Sequence, residues 1–295
     1  PDAEEARLVD AVAPVVATAH DARALLSAFD GQTHPSRFSV RFGRDDVELL
    51  HLRRVKLWVD RTDPSVSAVI SDRRRWEPHI EAALERLLRP GDVFVDVGAN
   101  IGYHSLTAAY LVGPAGRVVA VEASSENARM LLLNRAENDA DQVEIVPMAM
   151  DREEGLACLG RHLGTNGALS SRPDAAAGGD TTVVATARLD SIVGGPVRLV
   201  KIDVEGAEFR VLDGADRLLR EARPHLILEF SLDMARRVSG VEPVEALQAL
   251  LDHGYSLSVL EPDTEETTPY ASAAALLSSW PGEYHIADLL LLAQP

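Results

Sequence analysis

The apolar positions of this chain change period several times, and each change predicts an element. Over residues 3–29, Leu8, Val12, Val15, Leu25, Leu26 and Phe29 recur at helical spacing, with Pro14 as a kink. From Phe38 the period becomes two, with Phe38, Val40 and Phe42 alternating with polar residues. After the turn Gly43-Arg44-Asp45-Asp46, residues 47–52 and 55–59 read as two more strands. Residues 73–89 return to a helix with Ile80, Leu84, Leu87 and Leu88 on one face.

Beyond Asp92 the spacing becomes regular. Short apolar strands at 93–97, 118–121, 143–146, 197–203 and 225–230 alternate with helices at about 102–112, 125–138, 207–221 and 244–253. That alternation predicts an α/β fold, a mostly parallel sheet with helices on both faces and ligands at the carboxyl ends of its strands. Residues 155–180 break the rhythm with six glycines and predict a long loop or lid, followed by an extra strand at 182–187. Residues 255–260 and 286–292 predict a closing antiparallel pair, joined by a second long loop over 261–285. The expected organisation is an N-terminal helical and β-hairpin cap over 1–88 and a main domain over 89–295.

Composition narrows the partners. Twenty-nine basic against 46 acidic residues give a formal charge of −17, which disfavours nucleic acid and anionic membranes apart from a local patch such as Arg73-Arg74-Arg75. No apolar run approaches the roughly 18 residues that cross a bilayer. The start, Pro-Asp-Ala-Glu-Glu, lacks the basic head and apolar segment of a signal peptide, so a cytoplasmic location is expected. Cys158 is the only cysteine, which rules out an internal disulfide or a thiolate cluster. Of the 29 basic residues only Lys56 and Lys201 are lysine, so a retained lysine points to chemistry that arginine does not supply.

The chemistry gathers at two strand ends. Strand 93–97 runs into Asp96-Val97-Gly98-Ala99-Asn100-Ile101-Gly102 and then a helix, a turn whose glycines let the backbone approach a ligand and whose helix start offers free N–H groups. A dinucleotide fingerprint aligned on Gly98 puts Asp96 and Ile101 where glycines belong, and Asp96 would repel a pyrophosphate. S-adenosylmethionine, with an ammonium and a sulfonium, fits better. Glu122 ends the next strand, 24 residues beyond Gly98, where a carboxylate can accept ribose hydroxyls. Asp151 could reach an adenine amine, though loop aspartates are common. In residues 199–208 strand alternation puts Lys201, Asp203 and, where the strand runs that far, Glu205 on one side and Val200, Ile202 and Val204 on the other. Three charges in a central parallel strand signal a wet functional cleft or a salt-bridged strand end. His104 opens the first helix beside the glycine turn and could touch ligand; His162 and His285 carry no such context.

These residues together resemble the FkbM-type family of S-adenosylmethionine-dependent methyltransferases. The resemblance rests on Trp76-Glu77-Pro78, Gly91 through Tyr103, Val121-Glu122-Ala123 with Asn127, Asn166-Gly167 with Ser170-Ser171, and Leu189-Asp190. It is most specific in Val200-Lys201-Ile202-Asp203-Val204-Glu205-Gly206-Ala207-Glu208 and in Arg223-Pro224 with Glu229. It implies a class I (Rossmann-like) methyltransferase fold, a seven-stranded, mostly parallel sheet whose last strand is reversed. It also implies methyl transfer to a hydroxyl of a small-molecule natural product or sugar. Expected cofactor contacts are Glu77, Asp96, Gly98, Ala99, Asn100, Gly102, His104 and Ser105 around the first turn. Glu122, Ala123, Ser124, Asn127, Ala149, Met150 and Asp203 complete them. Lys201, Asp203 and Glu205 are the expected catalytic residues, with Asp203 or Glu205 as base. A less favoured alternative has Asp203, Glu205 and Glu229 hold a divalent cation such as Mg2+. An NAD-dependent oxidoreductase, or a methyltransferase-like module that binds without catalysis, stays open, as does a homo-oligomer.

Overall fold

The structure, a computed structural model, describes residues 47–161, 167–170, 181–262 and 264–294. The helix expected over 3–29 and the strand at 38–42 lie outside the described residues. β1 (Val47–His51) and β2 (Lys56–Asp60) form an antiparallel hairpin. Two helices follow, α1 (Val66–Arg73) and α2 (Pro78–Leu87), where the pattern predicts one helix over 73–89. Arg74 and Glu77 adopt left-handed backbone angles, φ 55° and 41°, and Pro78 sits at the start of α2, so the helix ends and restarts between them.

The alternation that the sequence predicts then unfolds in order. β3 (Val93–Val97), α3 (Tyr103–Val112), β4 (Arg117–Val121), α4 (Ser125–Glu137) and β5 (Val143–Val146) come first. The stretch 155–180, expected as a loop or lid, carries two strands among its described residues, β7 (Gly155–Arg161) and β8 (Gly167–Ser170); with β6 (Ala149–Met150) and β9 (Thr181–Ala187), the expected extra strand, they make a separate sheet in the order β6-β9-β7-β8. Its glycines hid the alternation that β7 and β9 share across their antiparallel register, Leu156 against Ala185 and Cys158 against Val183.

α5 (Leu189–Ile192) leads to β10 (Leu199–Ile202). The helix expected over 207–221 divides into α6 (Glu208–Asp213) and α7 (Asp216–Glu221) at Gly214, whose place a Cβ could not take: it would lie 2.2 Å from the Asp151 carbonyl oxygen. β11 (His225–Ser231), α8 (Pro243–Asp252), β12 (Tyr255–Leu260), β13 (Thr267–Tyr270), α9 (Ala273–Ser278) and β14 (Ile286–Ala293) complete the chain. The connection expected as a second long loop therefore contains β13 and α9.

The main sheet has the order β13-β12-β14-β11-β10-β3-β4-β5. β3, β4, β5, β10 and β11 are parallel, and β14 runs reversed between β11 and β12. This is the class I arrangement, with eight strands rather than seven because β13 pairs antiparallel onto β12 at the edge. Alternate strand residues feed two cores. Phe94, Val118, Ala120, Leu199, Ile227 and Leu290 pack with α2, α3 and the β1–β2 hairpin. Val95, Val119, Val200, Leu226 and Leu289 pack with α6 and α8 on the other face. No helix among the described residues is long and apolar enough to cross a membrane.

One buried amide fastens the hairpin to the sheet's helical layer. Asn134 of α4 is fully buried; its Oδ1 accepts the Trp58 N–H at 2.6 Å, and its Nδ2 donates to the Trp58 and Ile101 carbonyls at 3.1 and 2.8 Å. Asn134→Leu leaves those backbone groups buried without partners, and urea denaturation should show a loss of about 3 kcal/mol. A loss below about 0.5 kcal/mol would show that the hairpin is held by apolar packing alone.

Candidate active site

The sheet changes direction between β3 and β10: from β3 the chain winds outward through β4 and β5, and from β10 through β11. At such a switch point the strand ends diverge and leave a crevice. A cavity of about 400 Å³ opens there. Its wall takes Gly98, Ala99 and Asn100 from the β3 turn, Glu122, Ala123, Ser124 and Asn127 from the end of β4 and the start of α4, and Ala149 and Met150 from β6. Glu77 and His104 reach it from the two helix starts, and Lys201, Asp203, Glu205 and Glu229 from the ends of β10 and β11. Most of the expected site residues are thus brought together around one space.

Three expected residues are not on the cavity wall. Asp96, 1% exposed, lies behind it, where its Oδ2 accepts the Ser105 hydroxyl at 2.5 Å. Ser105 itself is fully buried, and Gly102 caps α3, where a Cβ would come 2.3 Å from Leu131 Cδ1. Asp96 acts through the neighbouring strand instead: it lies in register with Lys201 and helps hold that ammonium charged. Asp151 is likewise absent from the wall and is engaged by Arg210.

Glu122 shows how the β4 end is built. Its Oε2 accepts the Asn100 N–H and its Oε1 the Ser124 N–H, each at 2.8 Å, so the carboxyl joins the glycine turn to the start of α4. Burial pushes it up to about 7, against the pull of those N–H groups. Oε1 also accepts from Asn127 Nδ2 at 3.5 Å, so Oε2 keeps a further lone pair for a ligand hydroxyl.

Across the cavity, Lys201 is 2% exposed and its Nζ donates to Asp203 Oδ2 at 2.7 Å. Burial works against its charge, but Asp203, Asp96 and Glu77 together raise its pKa above the usual lysine value. Glu77 is met by His104 Nε2 at 2.7 Å. Burial alone would raise the Glu77 carboxyl; the His104 hydrogen bond and the charges of His104 and Lys201 prevail and hold it at about 2. Glu205 takes a left-handed backbone angle, φ 54°, just before Gly206 at φ 99°, which turns it out of the strand line. Burial and the adjacent Asp203 raise it to about 7, with Lys201 opposing. Glu229 is raised well above the carboxylate range by burial and then by Asp203, Glu205, Glu208 and Asp288. Among the described residues no group of three or more His, Cys, Asp or Glu is placed to hold a metal ion.

This geometry meets its counterpart in sequence comparison. The Methyltransferase FkbM domain matches residues 96–257, more than half of the chain, from the last residues of β3 into β12. The chain belongs to the FkbM methyltransferase domain family. Comparison with curated proteins finds no match. Among solved structures, the FkbM methyltransferase of Methylobacillus flagellatus KT is similar at 16% identity, with a TM-score of 0.43, over 72% of this chain and 50% of that one. The present chain thus spans half the length of that protein. A precorrin-6y C5,15-methyltransferase from Geobacter metallireducens GS-15 shares 16% identity over 79% of this chain and 92% of its own, with a TM-score of 0.42. A rRNA methylase of Streptococcus thermophilus shares 13% over 75% and 98%, with a TM-score of 0.40.

Several wall residues fall outside the expected cofactor and catalytic contacts. Leu159, Thr181 and Thr182 come from β7 and β9, and Trp76 and Tyr103 from beside the two helix starts. Glu229 had a visible signal, a lone carboxylate in the apolar strand His225–Ser231.

Proposed function

We propose that the cavity binds S-adenosylmethionine and that the protein transfers its methyl group to a hydroxyl of a small-molecule acceptor, a natural product or sugar. The observation that carries this reading is the placement of two unlike walls on one switch-point cavity: Glu122 with the Gly98 turn on one side, Lys201, Asp203 and Glu205 on the other. The first wall suits an adenosyl group, with a buried carboxyl for the ribose and a glycine backbone where a side chain would intrude. The donor, when bound, supplies an electrophilic methyl on a sulfonium.

The second wall suits proton removal from an acceptor hydroxyl. Asp203 is already committed to Lys201, whereas Glu205 makes no hydrogen bond to another described residue and titrates near neutrality, where a general base works best. Glu205 is therefore the base, and the Lys201–Asp203 pair keeps the acceptor oxygen and the carboxylate apart in charge. A negative formal charge and a cavity of this size favour a small acceptor over a polynucleotide.

Titration calorimetry tests the donor site: S-adenosylhomocysteine should bind and NAD should not. Binding of NAD alone would end the reading. With a panel of hydroxyl acceptors, Glu205→Gln should lower kcat by about 10²–10⁴ and leave S-adenosylhomocysteine affinity within about threefold. Unchanged turnover would remove Glu205 from the chemistry.

A further inference from the structure

The carboxylates on this face of the sheet can be taken one at a time, and each but two is occupied. Strand alternation puts Asp96, Lys201, Asp203, Glu229 and Asp288 on the same face, since Lys201 is in register with Asp96 and Ile227, and Glu229 with Asp288. Asp203 holds Lys201. Asp288 is met by His79 Nε2 at 2.7 Å, and Glu77 by His104 Nε2. Asp96 accepts from Ser105 through Oδ2 while its Oδ1 is buried without a partner, and Glu208 Oε1 accepts the Val204 and Gly206 N–H groups at 3.1 and 3.0 Å. Glu205 and Glu229 remain, both on the cavity wall and both without a hydrogen-bond partner among the described residues.

Glu229 stands in an adverse setting. It lies directly opposite Asp288 across an antiparallel pair, a like-charge placement that disfavours the fold, and it faces Asp203, Glu205 and Glu208 as well. The cations nearby, Lys201 and His79, are taken by Asp203 and Asp288. A second polar atom on the same cavity is also unserved: His104, 6% exposed, has its Nδ1 buried with no partner. A carboxyl held against four others at the edge of an open space is placed to receive a positive charge from that space.

We propose that Glu229 is an acceptor-recognition residue and that the acceptor carries a protonated amine, which Glu229 binds while the hydroxyl to be methylated faces Glu205. The inference rests on the methyltransferase reading of the cavity and adds the class of acceptor. The ammonium neutralises the surplus of carboxylates on this wall, and it selects amino-bearing acceptors over neutral ones of the same shape. Burial and like charges raise the Glu229 carboxyl and an ammonium beside it pulls the other way, so binding of the amine is coupled to proton release.

The test uses the full chain saturated with S-adenosylhomocysteine and two matched pairs of probes, tyramine against tyrosol and cyclohexylamine against cyclohexanol. Calorimetry in buffers of different ionisation enthalpy should show each amine binding at least about tenfold tighter than its alcohol, with release of a proton. Glu229→Gln, which keeps the shape and relieves the repulsion, should remove both the preference and the proton release while S-adenosylhomocysteine affinity stays within about twofold. Equal binding within the pairs, or no binding of either member, overturns the proposal. A fall in S-adenosylhomocysteine affinity in Glu229→Gln would assign this carboxylate to the donor and overturn it too, with the cofactor reading intact. A wild-type chain that takes up no S-adenosylhomocysteine overturns both.

Discussion

Gly98→Ala is expected to abolish S-adenosylhomocysteine binding and to destabilise the fold by about 2–5 kcal/mol. Gly98 has φ 87°, and a Cβ on it would lie 1.8 Å from the Asp203 carbonyl oxygen and 2.9 Å from its carbon. The obstacle is backbone rather than a side chain that can turn away. It is also tied in place, because the Asp203 N–H donates to the Val97 carbonyl at 3.0 Å. Relief therefore requires β3 and β10 to part at their carboxyl ends, which is where the cavity begins. The left-handed angle costs an alanine about 1–2 kcal/mol and the clash about 1–3 more. Gly240→Ala separates the two contributions: it has a similar angle, φ 71°, and nothing within 4 Å of its added carbon. That variant should lose only about 1 kcal/mol and bind S-adenosylhomocysteine normally. Equal effects of the two substitutions would show that the glycine turn needs conformational freedom alone, and that its close approach to β10 is incidental.

The same turn shows how far the sequence reached. Val93–Val97 and the other parallel strands were legible because strands covered on both faces are written as short β-branched runs between turn residues. Glu122 and the Lys201–Glu205 segment were legible because charge in such strands is costly and so conspicuous. Of the small second sheet only β9 was legible, as the extra strand at 182–187; β7 was not, since a half-exposed strand with glycines at 155 and 160 has neither a clean period nor an apolar run. Asp96 shows a different limit. Its position after an apolar run suggested contact with ligand, but alternation turns it toward Lys201 and Ser105, a distinction that depends on which face the neighbouring strand presents. The rarity of lysine was a real but unselective signal: it marks Lys201 in the site and equally Lys56, whose Nζ pairs with Glu137 at 3.0 Å on the surface.

Lys201→Met should destabilise the protein by about 3–5 kcal/mol near pH 8, and by clearly less near pH 5.5. In the wild type Glu122, Glu205 and Glu208 are all raised from 4.5 to about 7, chiefly by burial. A folded-state pKa above the unfolded value contributes stability that is fully present below about 4.5 and is lost as pH rises through about 7. Glu77, lowered to about 2, acts in the opposite sense, its contribution present above 4.5 and lost as pH falls toward 2. Above about pH 4.5 the raised carboxyls govern, so wild-type stability declines up to about pH 7 and levels off above it. Lys201 opposes that decline at Glu205, and its charge, held through the whole range, also attracts Asp203, Asp96 and Glu77. Without it, ionising the surrounding acids leaves uncompensated charge in a buried wall, whereas at lower pH they can take up protons instead. The difference between variant and wild type must therefore widen as pH rises, and chemical denaturation at the two pH values measures it. Lys201→Arg should recover part of the loss through its charge, though not the compact contact that the ammonium makes at 2.7 Å. A pH-independent loss in Lys201→Met would make the residue a packing element. A pH-dependent one establishes it as the cation around which the acidic wall of the cavity is assembled.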